Sequence, residues 1–291
     1  MIIDSITWDV SPYVFGTGIR WYGLLWAIGL YVCWVMNRQM YRRENCPPEW
    51  IDQLFFWIAA GAIIGARLGH CLFYEWHDGS NPYLLNPLKI LKIWEGGLAS
   101  HGGAIGIILA AWLLNKYKFS RYPQFKTSWL WILDRLCIGV CVTGALIRLG
   151  NLMNSEIYGD PTDLPWGFIF VNGDVNQNVP CHPTQIYEIL YLIVALAVTM
   201  PLYWKTNARR REGLLLGIFL EIVFFTRFML EFIKNPQEDF EKGQLLNMGQ
   251  ILSIPFILLG IYLIIRAYRK PLLPVVEKQP ASLDPKYRKK S

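Results

Sequence analysis

The fold the sequence predicts is an all-α integral membrane protein of seven transmembrane helices, with the N-terminus outside and the C-terminus in the cytoplasm. Three observations predict it. Of the 291 residues, 53% are hydrophobic and only 17% charged, well under the quarter that soluble domains carry. Seven stretches reach the ~20 mostly apolar residues that cross ~30 Å of hydrocarbon. Lysine and arginine then gather in alternate linkers, which fixes the orientation.

In order, the stretches run 21–40, 51–74, 98–117, 129–149, 184–204, 214–233 and 248–266. Pro201 and Pro255 fall inside the fifth and seventh, where neighbouring helices can satisfy the freed carbonyls. Arg38, Arg42 and Arg43 follow the first stretch, Lys116, Lys118, Arg121 and Lys126 the third, and Lys205, Arg209, Arg210 and Arg211 the fifth. A basic tail ending KYRKKS follows the seventh, and the other linkers are poor in both residues. The net charge of +6 is this topology signal, not a nucleic-acid surface. The first stretch lacks a basic leader and a small-residue cleavage site, so a permanent span is expected.

Residues 1–270 are expected to form one transmembrane domain, and 271–291 a basic cytoplasmic tail. The linker 150–183, rich in Gly, Pro, Asn and Asp, is expected to cap the outer helix ends with loops and short strands. Cys181 alone lies outside and Cys46 in the cytoplasm, while Cys33, Cys71, Cys137 and Cys141 fall in spans, so no disulfide framework is expected. Cys137 and Cys141 share a helix face and read as packing residues.

Ionisable groups in hydrocarbon are costly enough that each marks a candidate function. Tyr22 begins the first helix on the outer side. Tyr74 ends the second there, with Arg67 about 10 Å deeper. His101 lies one turn into the third, and Arg148 and Asn151 end the fourth. His182, Gln185 and Glu188 begin the fifth. Arg227 and Glu231 end the sixth, one helical turn apart, so Glu231 is expected to neutralise Arg227 and fix its fork. Taken singly, the tyrosines suit an interface belt, the histidine an interhelical hydrogen bond and Arg148 a snorkelling side chain. Taken together, six helices deliver polar groups to the same outer third. Asp134 and Arg135, near the inner end of the fourth helix, read as structural.

Guanidinium forks match phosphate oxygens and keep their charge at any relevant pH, which points to an anionic phospholipid headgroup. GGLASHGGAIG, 96–106, surrounds His101 with small residues that let helix backbones approach closely. No HExxH spacing or paired-carboxylate nucleotide pattern is present, so neither a metal nor a cofactor is expected.

At this point the residues resemble a known family. RLGNLMNSEIYG, from Arg148 to Gly159, is similar to the signature G-R-x-G-N-F-x-N-x-E-x-x-G of bacterial prolipoprotein diacylglyceryl transferases. Arg148, Gly150, Asn151, Asn154, Glu156 and Gly159 fit, while Ile147 and Leu152 replace the usual glycine and phenylalanine. RWYG with Tyr22, GARLGHCLFY with Arg67 and Tyr74, GGLASHGG with His101, CHPTQIYE with His182 to Glu188, FTRFMLEF with Arg227 and Glu231, and MGQILSIP follow the family in order. The resemblance implies a seven-helix enzyme of the bacterial inner membrane with a periplasmic N-terminus. The implied reaction moves the diacylglyceryl group of phosphatidylglycerol to the lipobox cysteine of a preprolipoprotein, forming a thioether and releasing glycerol phosphate.

That chemistry needs a thiolate and a held phosphate. The expected base is His101, and the expected phosphate clamp is Arg148 with Arg227, oriented by Glu231. Tyr22 is assigned to the headgroup or ester region. Asn151, Asn154 and Glu156 are expected to hold glycerol hydroxyls or the loop after the fourth helix, and Gly159 to supply a backbone conformation or a close approach that a Cβ would block. Arg67, Tyr74, His182, Gln185 and Glu188 complete the expected substrate-binding set. Two rival classes are an intramembrane hydrolase or acyltransferase, invited by adjacent Ser100 and His101, and a lipid or anion transporter. The first lacks a G-x-S-x-G elbow, and the second lacks repeated halves with a midplane site.

Overall fold

The structure, a computed structural model, describes residues 5–73, 83, 86–92, 99–173, 178–233 and 248–276. Each of the seven apolar stretches becomes a helical segment. These are α1 (Trp21–Arg43), α2 (Glu49–Phe73), α3 (Ser100–Tyr117), α4 (Trp129–Met153), α5 (Thr184–Lys205), the pair α6 (Leu214–Leu220) and α7 (Thr226–Leu230), and α8 (Met248–Arg269). A π-helical turn, Glu221–Phe225, joins α6 to α7, and a 3-10 turn, Glu231–Ile233, ends that segment. Among the described residues, four helices are long and apolar enough to cross a membrane: α2, α4, α5 and α8. The π turn divides the sixth stretch, so neither α6 nor α7 has that length alone.

The chain divides into two compact units, 1–37 with 134–272 and 38–133 with 273–291. In the first unit, β1 (Ile6–Trp8) pairs in parallel with β2 (Phe168–Phe170), Ile6 opposite Phe168 and Trp8 opposite Phe170. Cys181 extends this pairing through an antiparallel bridge to Phe168. Leu152, Tyr158, Phe168, Phe170 and Cys181 form the buried core beneath the strands, with Tyr158 stacked on Phe170 at 4.4 Å. The expected loops and short strands of 150–183 are therefore present. Pro201 and Pro255 lie inside α5 and α8 as expected.

Asp134 and Arg135 are structural. The Asp134 carboxylate accepts hydrogen bonds from the Gly213 and Leu216 N–H groups at 2.6 and 2.9 Å, capping the start of α6. Arg135 donates to the Arg209 carbonyl at 2.8 Å. All six cysteines are buried. Cys141 packs with Tyr191, Leu192, Ala195 and Val223 in a second core.

In the second unit, small residues bring α2 and α3 into backbone contact. A Cβ on Gly65 would fall 2.8 Å from the Gly106 Cα, and the Ala99 N–H donates to the Ala66 carbonyl at 2.9 Å. Ala99, Gly102 and Gly106 of the small-residue stretch thus form the expected packing surface. At the other end of the unit, Trp50 stacks on Phe119 at 3.9 Å, with Phe125 and Trp131 around it. Ile63, Ile64, Ile105 and Leu109 are exposed on α2 and α3, the arrangement of a helix pair with hydrocarbon as its solvent.

Candidate active site

α4 ends in a polar turn. Gly150 lies against Tyr22 of α1, where an added Cβ would stand 2.9 Å from the Tyr22 Cα, so a glycine is needed for that approach. Beyond Met153 the backbone turns through two left-handed residues, Ser155 (φ 54°) and Ile157 (φ 60°). A β-branched residue rarely adopts this conformation, and surrounding bonds must hold it. Glu156 N–H donates to the Asn151 carbonyl at 3.1 Å, the Gln185 amide donates to the Glu156 carbonyl at 2.7 Å, and the Thr184 hydroxyl donates to the Ile157 carbonyl at 2.9 Å.

The side chains of this turn form one chain of hydrogen bonds. Arg148 Nη1 donates to Asn151 Oδ1 at 3.2 Å. Asn151 Nδ2 donates to Glu156 Oε1 at 2.7 Å, and Asn154 Nδ2 donates to the same oxygen at 3.3 Å. Arg148 Nε makes an ion pair with Glu188 Oε2 of α5. Glu188, Gln185 and Asn151 are almost fully buried, whereas the Arg148 side chain keeps 21% of its surface. Among the described residues, Arg148 Nη2 has no partner. An arginine held at Nε and Nη1 with Nη2 open is suited to gripping an anion.

Gly159 closes the loop. Its N–H donates to the His182 carbonyl at 2.8 Å, and the next N–H, of Asp160, donates to the Ile233 carbonyl at 3.0 Å. A Cβ on Gly159 would sit 2.8 Å from Thr184 Cγ2 and 2.9 Å from His182 Cβ, so the close approach expected there is observed. The His182 ring turns to the Tyr187 hydroxyl at 3.3 Å, which also accepts from Trp166 at 2.8 Å. Burial lowers the His182 pKa below the ordinary imidazole value, and the nearby Asp160 charge opposes that shift. His182 meets the turn through its backbone, its carbonyl accepting from Gly159 and its N–H donating to the Asp160 carbonyl at 3.0 Å.

Arg227 and Glu231 do not pair with each other. Among the described residues no hydrogen bond or ion pair ties up the Arg227 guanidinium, and the Glu231 carboxylate packs against Gly249. The expected i,i+4 pairing fails because Glu231 opens the 3-10 turn, which rotates it off the Arg227 face. Both groups, with Arg148 and Glu188, lie within electrostatic reach of the Tyr191 hydroxyl. Tyr22 lies likewise near Arg148 and Glu156. Sequence reasoning missed Tyr191. Its signal was position, since it lies three residues after Glu188 and so on the same face of α5.

The second unit holds the remaining predicted residues. Arg67 is 2% exposed and donates to the Ile90 and Lys89 carbonyls, each at 2.9 Å. Its guanidinium lies over the Tyr83 ring at 5.2 Å. It therefore braces the 3-10 turn Pro87–Leu91. His101 lies in the first turn of α3, its side chain outside the described residues, as is all of Tyr74. Among the described residues no group of three His, Cys, Asp or Glu side chains is arranged to hold a metal.

The family model of the prolipoprotein diacylglyceryl transferases matches residues 12–266. The chain belongs to the prolipoprotein diacylglyceryl transferase family. It is 48% identical over 283 residues to the phosphatidylglycerol–prolipoprotein diacylglyceryl transferase of Porphyromonas gingivalis, covering 92% of this chain and 96% of that one. It is 42% identical to the enzyme of that name from Tolumonas auensis, with 89% and 96% covered, and 35% identical to that of Pseudomonas paraeruginosa, with 92% and 95% covered. Within this diacylglyceryl transferase, the turn from Arg148 to Gly159 is one hydrogen-bonded unit. Its buried acceptors hold the arginine, and its glycine locks the turn to α5.

Proposed function

We propose that the chain transfers the diacylglyceryl group of phosphatidylglycerol to the cysteine thiol of a prolipoprotein. The observation that carries this reading is the half-tethered Arg148, held at Nη1 by Asn151 and at Nε by Glu188 with its Nη2 open. Such a fork suits a phosphodiester, and the family and its relatives supply the reaction class.

In the reaction a thiolate sulfur attacks the terminal glycerol carbon of the diacylglyceryl group. A carbon–sulfur bond forms, the carbon–oxygen bond to phosphate breaks, and the electron pair leaves with glycerol phosphate. The thiol proton passes to a base, for which His101 is the proposed residue, with an ordinary pKa near 6.5. Arg148 and Arg227 hold the phosphate as charge gathers on the departing oxygen. Asn151, Asn154 and Glu156 hold the turn that carries Arg148. Gln185 and Glu188 fix that turn and the guanidinium from α5, and Tyr22 lines the headgroup side. Arg67, Tyr74 and His182 complete the proposed substrate-binding set, Arg67 by bracing a loop.

The protein is proposed to act in the bacterial inner membrane as one seven-span domain, 1–270. Its N-terminus and site face the periplasm, and its basic tail, 271–291, lies in the cytoplasm. The acceptor is a preprolipoprotein signal peptide with a lipobox cysteine. The test is reconstitution with phosphatidylglycerol and a Leu-Ala-Gly-Cys peptide, following peptide mass and free glycerol phosphate. Equal amounts of diacylglyceryl peptide and glycerol phosphate are expected. No adduct from folded, lipid-binding protein refutes the transferase and favours a transporter.

A further inference from the structure

The sixth apolar stretch is interrupted where a carboxylic acid enters it. The π turn Glu221–Phe225 lies between α6 and α7. A π turn holds one residue more than an α turn, so the chain beyond it is rotated by roughly 100° relative to an unbroken helix. The side chain re-aimed here is Arg227, two residues past the turn.

Two contacts with α8 bracket the turn, and each seats a glutamate against a glycine. At Gly260 a Cβ would collide with Glu221 Oε1 and stand 3.0 Å from the Gly217 carbonyl oxygen. At Gly249 a Cβ would lie 2.8 Å from Glu231 Cγ and closer still to its carboxylate. These are the two glycines of α8, about three turns apart. A carboxyl group within an apolar span is costly, and among the described residues Glu221 Oε1 is buried against Gly260 without a hydrogen-bond partner, whereas a leucine at 221 would end one atom short of the notch.

We infer that Glu221 and Gly260 are positioning residues: the side chain seated in the glycine notch holds the π turn, and the turn fixes the direction in which Arg227 faces. Glu231 on Gly249 is the second anchor, beyond Arg227. The inference rests on the reading of Arg227 as part of the phosphate clamp.

The test uses the full chain in phosphatidylglycerol vesicles, with kcat and KM for the lipobox peptide and a thermal melt for each variant. Gly260→Ala is expected to lower kcat about 10-fold with peptide KM within about twofold, and Glu221→Gln, of the same shape, to stay within about threefold of wild type. In an Arg227→Lys background, Gly260→Ala is expected to cost less than about twofold, because the residue through which it acts is already altered. Should Gly260→Ala fail to fold, Glu221→Leu replaces it in the same cycle with the same expectation. Wild-type kcat in Gly260→Ala, or losses that multiply in the double variant, overturn the inference. A wild-type protein that makes no diacylglyceryl peptide instead overturns the functional reading.

Discussion

Replacing Glu156 separates two roles a part-buried carboxylate can play in the proposed site. Its Oε1 accepts from Asn151 at 2.7 Å and from Asn154 at 3.3 Å, and Asn151 in turn holds Arg148. Glutamine keeps the shape and an oxygen acceptor but removes the charge, which halves the strength of such bonds and costs about 1 kcal/mol each. Two bonds make about 2 kcal/mol, or roughly 30-fold in rate if all of the loss reaches the transition state. Alanine leaves both amide donors without their acceptor, at about 2 kcal/mol each, or about 4 kcal/mol together, so Glu156→Ala is expected to fall roughly 10³-fold. The assay is kcat for diacylglyceryl transfer to a lipobox peptide, with a thermal melt to verify folding. Glutamine should therefore be clearly milder than alanine. Equal loss in the two variants would mean that Glu156 itself exchanges a proton or charge with substrate, rather than bracing Arg148 through the amides.

Arg148→Lys keeps a charge but cannot bond Asn151, Glu188 and an anion at once, so kcat should drop about 100-fold or more; a drop below tenfold would mean that a point charge suffices and the fork is dispensable. Asp134→Ala strips the carboxylate from two N–H groups at the start of α6, and should lower stability by about 1–3 kcal/mol while leaving kcat near wild type at permissive temperature. The check is a melt beside an activity measurement, and unchanged melting refutes the capping role. His182 has a folded pKa lowered by burial, so its contribution to stability is present above pH 6.5 and is lost as pH falls through the folded value. Melts of wild type and His182→Gln between pH 7.5 and 5 should diverge only on the acid side, and parallel curves would refute this.

How legible was this arrangement in the sequence? Helices were legible because hydrocarbon demands long apolar runs, and α1 and α3 begin within two residues of the expected positions. The Arg148–Gly159 turn stood out because an arginine, two amides and a glutamate at the end of a span are too costly in hydrocarbon to sit there without polar partners. The π turn was illegible: EIVFF is as apolar as its neighbours except for Glu221, and hydropathy does not report an i→i+5 bond. For the same reason Glu231 was assigned to Arg227 by α-helical spacing, when the 3-10 turn and the bare surface of Gly249 decide otherwise. Arg67 was assigned to substrate binding for its depth, and the carbonyls it braces belong to a turn that local sequence could not bring near it.

The parallel pairing of β1 with β2 also bears on how the protein is made. Trp8 Nε1 donates to the Leu152 carbonyl at 2.9 Å across a sequence separation of 144 residues, and β1 waits longer still for Phe168. At ribosomal speeds of roughly 5–20 residues per second, the N-terminal strand stays without its partner for roughly 7 to 30 seconds of synthesis. The turn bearing Arg148 is completed only after four helices have emerged, so a nascent chain arrested before β2 would contain that arginine but not its finished lock.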